Sequence, residues 1–257
     1  MLKNILEPFT NPGDINIHHG TFTIDLVMML VIGVIIIPYV FYNIRLLVPY
    51  PVKSNLKLQD YYIIIILLVY LIIGGYQQYF WTKQNKFRKE KIIPKTKLDK
   101  YIYNLFGEND NWVYIYNFIY YFIFGLVIIS IRDYKHFAIL VIGGIAMMTG
   151  LSIIWYLFPN DVSSRMKTNK YFLKKTQAID EVGNNACPSA HVVFAMYSFY
   201  LLKNVIGYMA AIMIPILISI SCMATTQHVS TDIILGAIYS ILFYNLILKN
   251  IFPTIFK

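Results

Sequence analysis

The chain has 257 residues, of which 58% are hydrophobic and only 14% charged. A soluble domain is about one-quarter charged and just under half apolar, so this balance excludes an ordinary soluble enzyme. The net charge of +9 reads as lysine and arginine set against anionic lipid headgroups, and no nucleic-acid partner is expected of a chain that leaves no soluble domain to carry one.

The first twenty residues, MLKNILEPFTNPGDINIHHG, hold acidic residues and prolines and no apolar core, unlike a cleavable signal. Apolar windows of roughly 17–25 residues, long enough to span a bilayer, then follow. Seven are expected, at 22–44, 61–81, 112–131, 137–158, 189–203, 205–224 and 229–252. The fifth is short and is parted from the sixth by Lys203-Asn204. The expected fold is therefore all-α: one integral membrane domain over 1–257, a polytopic bundle of six to seven spans.

Basic residues cluster in 83–100 and again in RMKTNKYFLKK, 165–175. The first cluster reads as juxtamembrane lysines. The second lies beside two histidines. His191 ends CPSAH (187–191) at the start of the fifth span, and His228 opens HVSTD (228–232) at the start of the seventh. Strict alternation of the spans brings the end of the fourth, the start of the fifth, the end of the sixth and the start of the seventh to one membrane face. Arg165, Ser189, His191, His228 and Asp232 then converge there from three separate segments.

Local chemistry supports a site at this point. Pro188 suits the first position of a helix, and the amides of Ser189, Ala190 and His191 would then face outward as an anion site. His228 and Asp232 are four apart on one helical face, so the carboxylate can fix the imidazole tautomer. The bland alternatives are interfacial histidines and a satisfied intramembrane pair. Ionisable groups at span ends nevertheless point to function, because they are costly there. A metal site built from His191, His228 and Asp232 is the rival chemistry. Cys187 and Cys222 form no CxxC and no zinc motif by themselves. His18, His19 and His136, the last expected in a short loop on the opposite face, stay outside the site.

These residues resemble the type 2 phosphatidic acid phosphatase superfamily of membrane lipid phosphatases and phosphotransferases. CPSAH stands where that family has PSGH or a variant, and HVSTD matches its H-x-x-x-D. Asp180, NNACPSAHV and TTQHVSTDIILG look most like a bacterial branch. The resemblance covers roughly 150–240, and the motif-bearing core is expected at about 137–252. The family's first motif, K-x6-R-P, aligns on Arg165 after YLFPNDVSS; its lysine position is then Phe158 and its proline position Met166. Lys167 is the candidate replacement for that cation. The Ser-Arg that opens the third motif is here Ser221-Cys222, so one phosphate-binding arginine is absent.

The resemblance implies phosphoryl transfer through a phosphohistidine, with no metal and no cofactor. His228 would be the nucleophile, Asp232 its orienting partner and His191 the general acid and base; Arg165, Ser189 and Lys167 would bind the phosphate. The substrate class implied is a lipid phosphate such as phosphatidic acid, phosphatidylglycerol phosphate or a polyprenyl diphosphate, with membrane lipids as surroundings. A headgroup transferase of the sphingolipid or inositol phosphotransferase type shares the same motif. A non-enzymatic transporter or proton relay is the alternative class, expected to show broken helices or repeat symmetry. Positive charge does not choose the side; bacterial relatives face outward, so the expectation is the outer side of the plasma membrane.

Overall fold

The computed structural model describes residues 91–117, 134–162, 165–174, 177, 185–204 and 206–251. The expected spans at 22–44 and 61–81, most of that at 112–131, His18, His19, Lys175 and Asp180 lie outside the described residues.

The chain is mostly helical. Strand β1 (Lys91–Ile93) leads into α1 (Lys97–Phe106), capped by Thr96, which accepts the Asp99 amide while the Asp99 carboxylate accepts the Thr96 amide. A 3-10 turn, Asp110–Trp112, opens the helical residues 113–117. Then come α2 (Tyr134–Leu157), β2 (Asn160–Val162), α3 (Ala190–Leu202), α4 (Tyr208–Ala224) and α5 (Ser230–Phe243). The last runs on through a π-helical stretch, Tyr244–Leu248, to Ile251. Ser230–Leu248 is long and apolar enough to cross a membrane; Gly143–Leu157, Ala190–Leu202 and Tyr208–Ala224 are shorter apolar helices.

One expectation needs correction. The described helix α2, Tyr134–Leu157, includes His136, so that residue is helical and not in a loop. The mostly helical fold agrees with the all-α expectation; its little strand is β1 and β2, which pair in parallel, Lys91 opposite Asn160 through Ile93 opposite Val162. Three-residue strands have no periodicity to betray them. The Asn160 side chain ties β2 to the segment before α3: it donates to the carbonyls of Phe158 and Cys187 and accepts the Cys187 amide at 2.6 Å.

The helix α3 is the centre of the bundle. Its sequence AHVVFAMYSFYLL is apolar on every face, the pattern of a helix buried all round. Val193 and Tyr197 pack with Met147, Leu151 and Trp155 of α2 and with Phe243, Tyr244 and Leu248. Val192 and Ala195 pack on the other side with Tyr116, Ile218 and Cys222. Gly236 lets α5 lie directly against the start of α3: a Cβ there would meet the Ser189 carbonyl oxygen at 2.9 Å. The outer faces of α4 and α5 are greasy, with Met209 75% and Leu246 67% exposed. So many exposed large apolar side chains on these helices suit lipid better than water.

Candidate active site

The packing of α3 on α5 brings the starts of both helices together. Ser189 caps α3, and its amide donates to the Asp232 carbonyl at 3.0 Å. The helix therefore starts later than expected: Pro188 precedes the cap, and the Ser189 amide is taken. Trp155 fixes this turn from α2 by donating its indole N–H to the Pro188 carbonyl at 3.2 Å. The Ser189 hydroxyl is buried with no hydrogen-bond partner among the described residues.

His191 and His228 face each other with ring centroids 5.7 Å apart, and both are nearly buried. Tyr116 stacks on His191, centroid to centroid 4.0 Å. His228 Nδ1 lies 3.4 Å from Asp232 Oδ2, long for a hydrogen bond but of the kind that tightens when a substrate fills a catalytic site. The same carboxylate oxygen accepts the Val229 amide at 3.1 Å. One aspartate thus caps its own helix and faces the imidazole at the helix mouth.

The turn before His228 is strained. Thr226 has φ +53°, a left-handed conformation rare for a β-branched residue, and such outliers concentrate at functional sites. Its hydroxyl accepts the Met166 amide at 2.6 Å. The amides of Gln227 and His228 both donate to the Cys222 carbonyl. Arg165 reaches the same turn, donating to Gln227 Oε1 at 2.8 Å and to Asp161 Oδ1 at 2.6 Å. Five of the six residues picked from the sequence, Arg165, Ser189, His191, His228 and Asp232, are thereby tied into one cluster. Lys167 lies exposed on the Arg165 loop. Phe158, at the family's lysine position, is 68% exposed and brings no charge.

Several neighbours were not picked. Asp99, fully buried, accepts the Ser230 amide at 2.6 Å and the Ser230 hydroxyl at 3.1 Å. The Asn109 amide donates to the Ala224 carbonyl, and Thr168 donates to Asp110. The segment 96–117 therefore binds both sides of the α4–α5 turn. Thr96-x-x-Asp99 has the spacing of a capping box, the one signal that marked this helix inside a basic stretch. Burial, with the nearby charges of Asp99, Glu108 and Asp232, raises the Tyr103 phenol above its ordinary range. Cys187 sits beside Asp232; burial and that carboxylate push its thiol up to about 12. Both cysteines are buried and not joined in a disulfide.

Cys222 is the third potential ligand of a buried group: its sulfur and the ring nitrogens of His191 and His228 lie within 4.8 Å of one another. Among the described residues, the metal-type cluster thus takes Cys222 where the sequence suggested Asp232.

Residues 161–255 match the model of the PAP2 superfamily. No curated protein and no solved structure matches the chain. All six residues picked from the sequence lie within the matched stretch, whereas Asp99 and Tyr116 lie before it. The site-bearing segment, residues 161–255, is thus what the chain shares with the PAP2 superfamily model.

Proposed function

We propose that this protein is a membrane lipid-phosphate phosphatase that works through a phosphohistidine on His228, without a metal. The superfamily carries phosphatase and phosphotransferase chemistry on phosphate esters. The observation that carries the finer reading is His228 set between two partners, the Asp232 carboxylate 3.4 Å from Nδ1 and the His191 ring 5.7 Å away.

In the first step His228 Nε2 attacks phosphorus while Asp232 holds the proton on Nδ1. A P–N bond forms and the P–O bond to the lipid breaks. Imidazolium His191 gives its proton to the leaving oxygen; the arriving phosphate anion supplies the counter-charge that favours this protonated form. In the second step neutral His191 takes a proton from water, whose oxygen displaces His228 and releases inorganic phosphate. Arg165 and the Ser189 hydroxyl would hold the non-bridging oxygens as charge redistributes. Because Asp161 and Gln227 already hold the guanidinium, phosphate meets a pre-positioned arginine. Lys167, exposed nearby, would draw anionic headgroups in.

The domain assignment follows: a single bilayer domain over 1–257, its phosphate site at a membrane face and the lipid tail among the exposed apolar side chains of α4 and α5. We place that face outward at the plasma membrane, as in the bacterial branch the motifs resemble; reporter fusions at Lys257 and within 83–100 test the side. The deciding assay uses purified protein and phosphatidic acid, phosphatidylglycerol phosphate and polyprenyl diphosphate, reading both free phosphate and transferred headgroup. Free phosphate from at least one, abolished by His228→Ala, is the expected result. Transfer to an alcohol without release of phosphate would assign a headgroup transferase.

A further inference from the structure

We propose that His191, Cys222 and His228 form a binding site for a borderline-soft divalent cation such as Zn²⁺, and that the bound ion shuts the enzyme off. The site belongs to this chain in particular, since Cys222 stands where the resembled motif has an arginine. A repelling cation is thereby exchanged for a metal-binding sulfur.

Three observations support it. First, the donor set is two imidazoles and one thiol, a combination that selects zinc over magnesium or calcium. Second, the three donor atoms lie within 4.8 Å of one another. Tetrahedral zinc, with bonds of about 2.0–2.3 Å, separates its ligands by roughly 3.3–3.6 Å, so the longest separation must close by about an ångström. That movement would have to come from the ligand side chains themselves, on the His191 side against the Tyr116 ring stacked at 4.0 Å. Third, the outer partner is already in place. A metal-bound histidine usually donates its other N–H to a carboxylate, and Asp232 Oδ2 lies 3.4 Å from His228 Nδ1. All three ligands are buried, which keeps competing water few. The fourth position would go to water or to a phosphate oxygen.

On binding, the Cys222 thiol releases its proton to solvent and the sulfur joins the metal as thiolate. The His228 Nε2 lone pair, which attacks phosphorus in the proposed reaction, is then committed to the ion. Inhibition rests on the phosphatase reading, whereas binding does not, and the test keeps the two apart.

Purified full-length protein in detergent, stripped with EDTA, is titrated with Co²⁺, whose thiolate charge-transfer absorption reports a sulfur ligand. The expected result is one equivalent of cobalt with that band, displaced by Zn²⁺. Cys222→Ala should lose the band, with Cys222→Ser as the second variant should the first not fold. Asp232→Asn should keep the band and weaken binding by about 10–100-fold. Absence of the band in wild type, or its persistence in both Cys222 variants, would overturn the site. Activity is read separately, each variant with Zn²⁺ divided by its own value in EDTA. Wild type should be active in EDTA and fall at least tenfold with Zn²⁺, and the Cys222 variants should change little. A band with no effect of Zn²⁺ on turnover would overturn the inhibition. Activity that requires Zn²⁺ would also overturn it, and would discard the metal-free mechanism while leaving the ligand set standing.

Discussion

Asp99 Oδ1 accepts the backbone amide of Ser230 at 2.6 Å across 131 residues of sequence. The helix that begins with Ser230 carries Asp232, and His228 stands two residues before it, so this carboxylate from α1 fixes the direction in which α5 leaves the site. Asp99 also favours the helix electrostatically, because the start of a helix attracts negative charge.

Asp99→Asn tests this positioning role. Both carboxylate oxygens accept backbone N–H groups, Oδ1 from Ser230 and Oδ2 from Thr96. An asparagine must therefore turn its NH2 toward one of them, leaving a buried donor unpaired at a cost of about 1–3 kcal/mol. The expected outcome is a lower Tm and a reduced kcat with KM little changed, since Asp99 lies behind the helix start and not on the phosphate. A Tm drop with unaltered kcat would assign Asp99 to stability alone.

Gly236→Ala tests the seat of α3 on α5. The new methyl carbon would meet the Ser189 carbonyl oxygen at 2.9 Å. That neighbour is backbone and cannot swing aside, so the helix starts must part. Overpacking of this kind typically costs 1–3 kcal/mol. His191 would move away from His228, and activity should fall at least tenfold in protein that still purifies as a folded species. Full activity would show that the two starts tolerate separation.

The fate of the sequence reading follows from where its signals came from. The histidines, Asp232, Ser189 and Arg165 could be singled out because short motifs and the four-residue helical spacing are local signals. The structure joins them through contacts such as Ser189 to Asp232 and Arg165 to Gln227. Asp99, Tyr116 and Cys222 were not legible. Asp99 was hidden among lysines, Tyr116 sat in an apolar run, and Cys222, with no CxxC spacing, read only as the position of a missing arginine. Each reaches the site only through helix packing, which a sequence does not order by itself. The β1–β2 pair escaped because strands of three residues carry no alternation to read.

Cys187 supplies a pH prediction. Its thiol is held at about 12 by burial and by the Asp232 carboxylate, whereas an unfolded thiol titrates near 8.5. The raised native value means that unfolded protein loses this proton first as pH rises. The contribution to stability is whole below about 8.5 and is lost as pH climbs toward 12, at no more than about 1.4 kcal/mol per pH unit. Thermal unfolding of wild type should therefore decline more steeply between pH 9 and 10.5 than that of Cys187→Ala. Parallel declines would mean that the thiol ionises freely in the native state.

The two histidines can be told apart by the leaving group. A lipid alkoxide needs a proton as the P–O bond breaks, whereas a nitrophenyl ester leaves as a stabilised anion. General acid catalysis contributes roughly 10²–10⁴-fold. His191→Ala should therefore lower kcat/KM for the lipid phosphate by about that factor and spare much of the aryl phosphate reaction. His228→Ala should abolish both, because attack on phosphorus is common to them. Wild-type turnover of the aryl ester is the necessary control, since it shows that the ester enters the pocket. The stacked Tyr116 ring, 4.0 Å from His191, adds an internal check: Tyr116→Ala should reproduce the His191→Ala pattern in weaker form, because it frees the imidazole to turn. Equal losses on both substrates for His191→Ala would show that this histidine binds phosphate or shapes the pocket, and the proton would have to be delivered by another group.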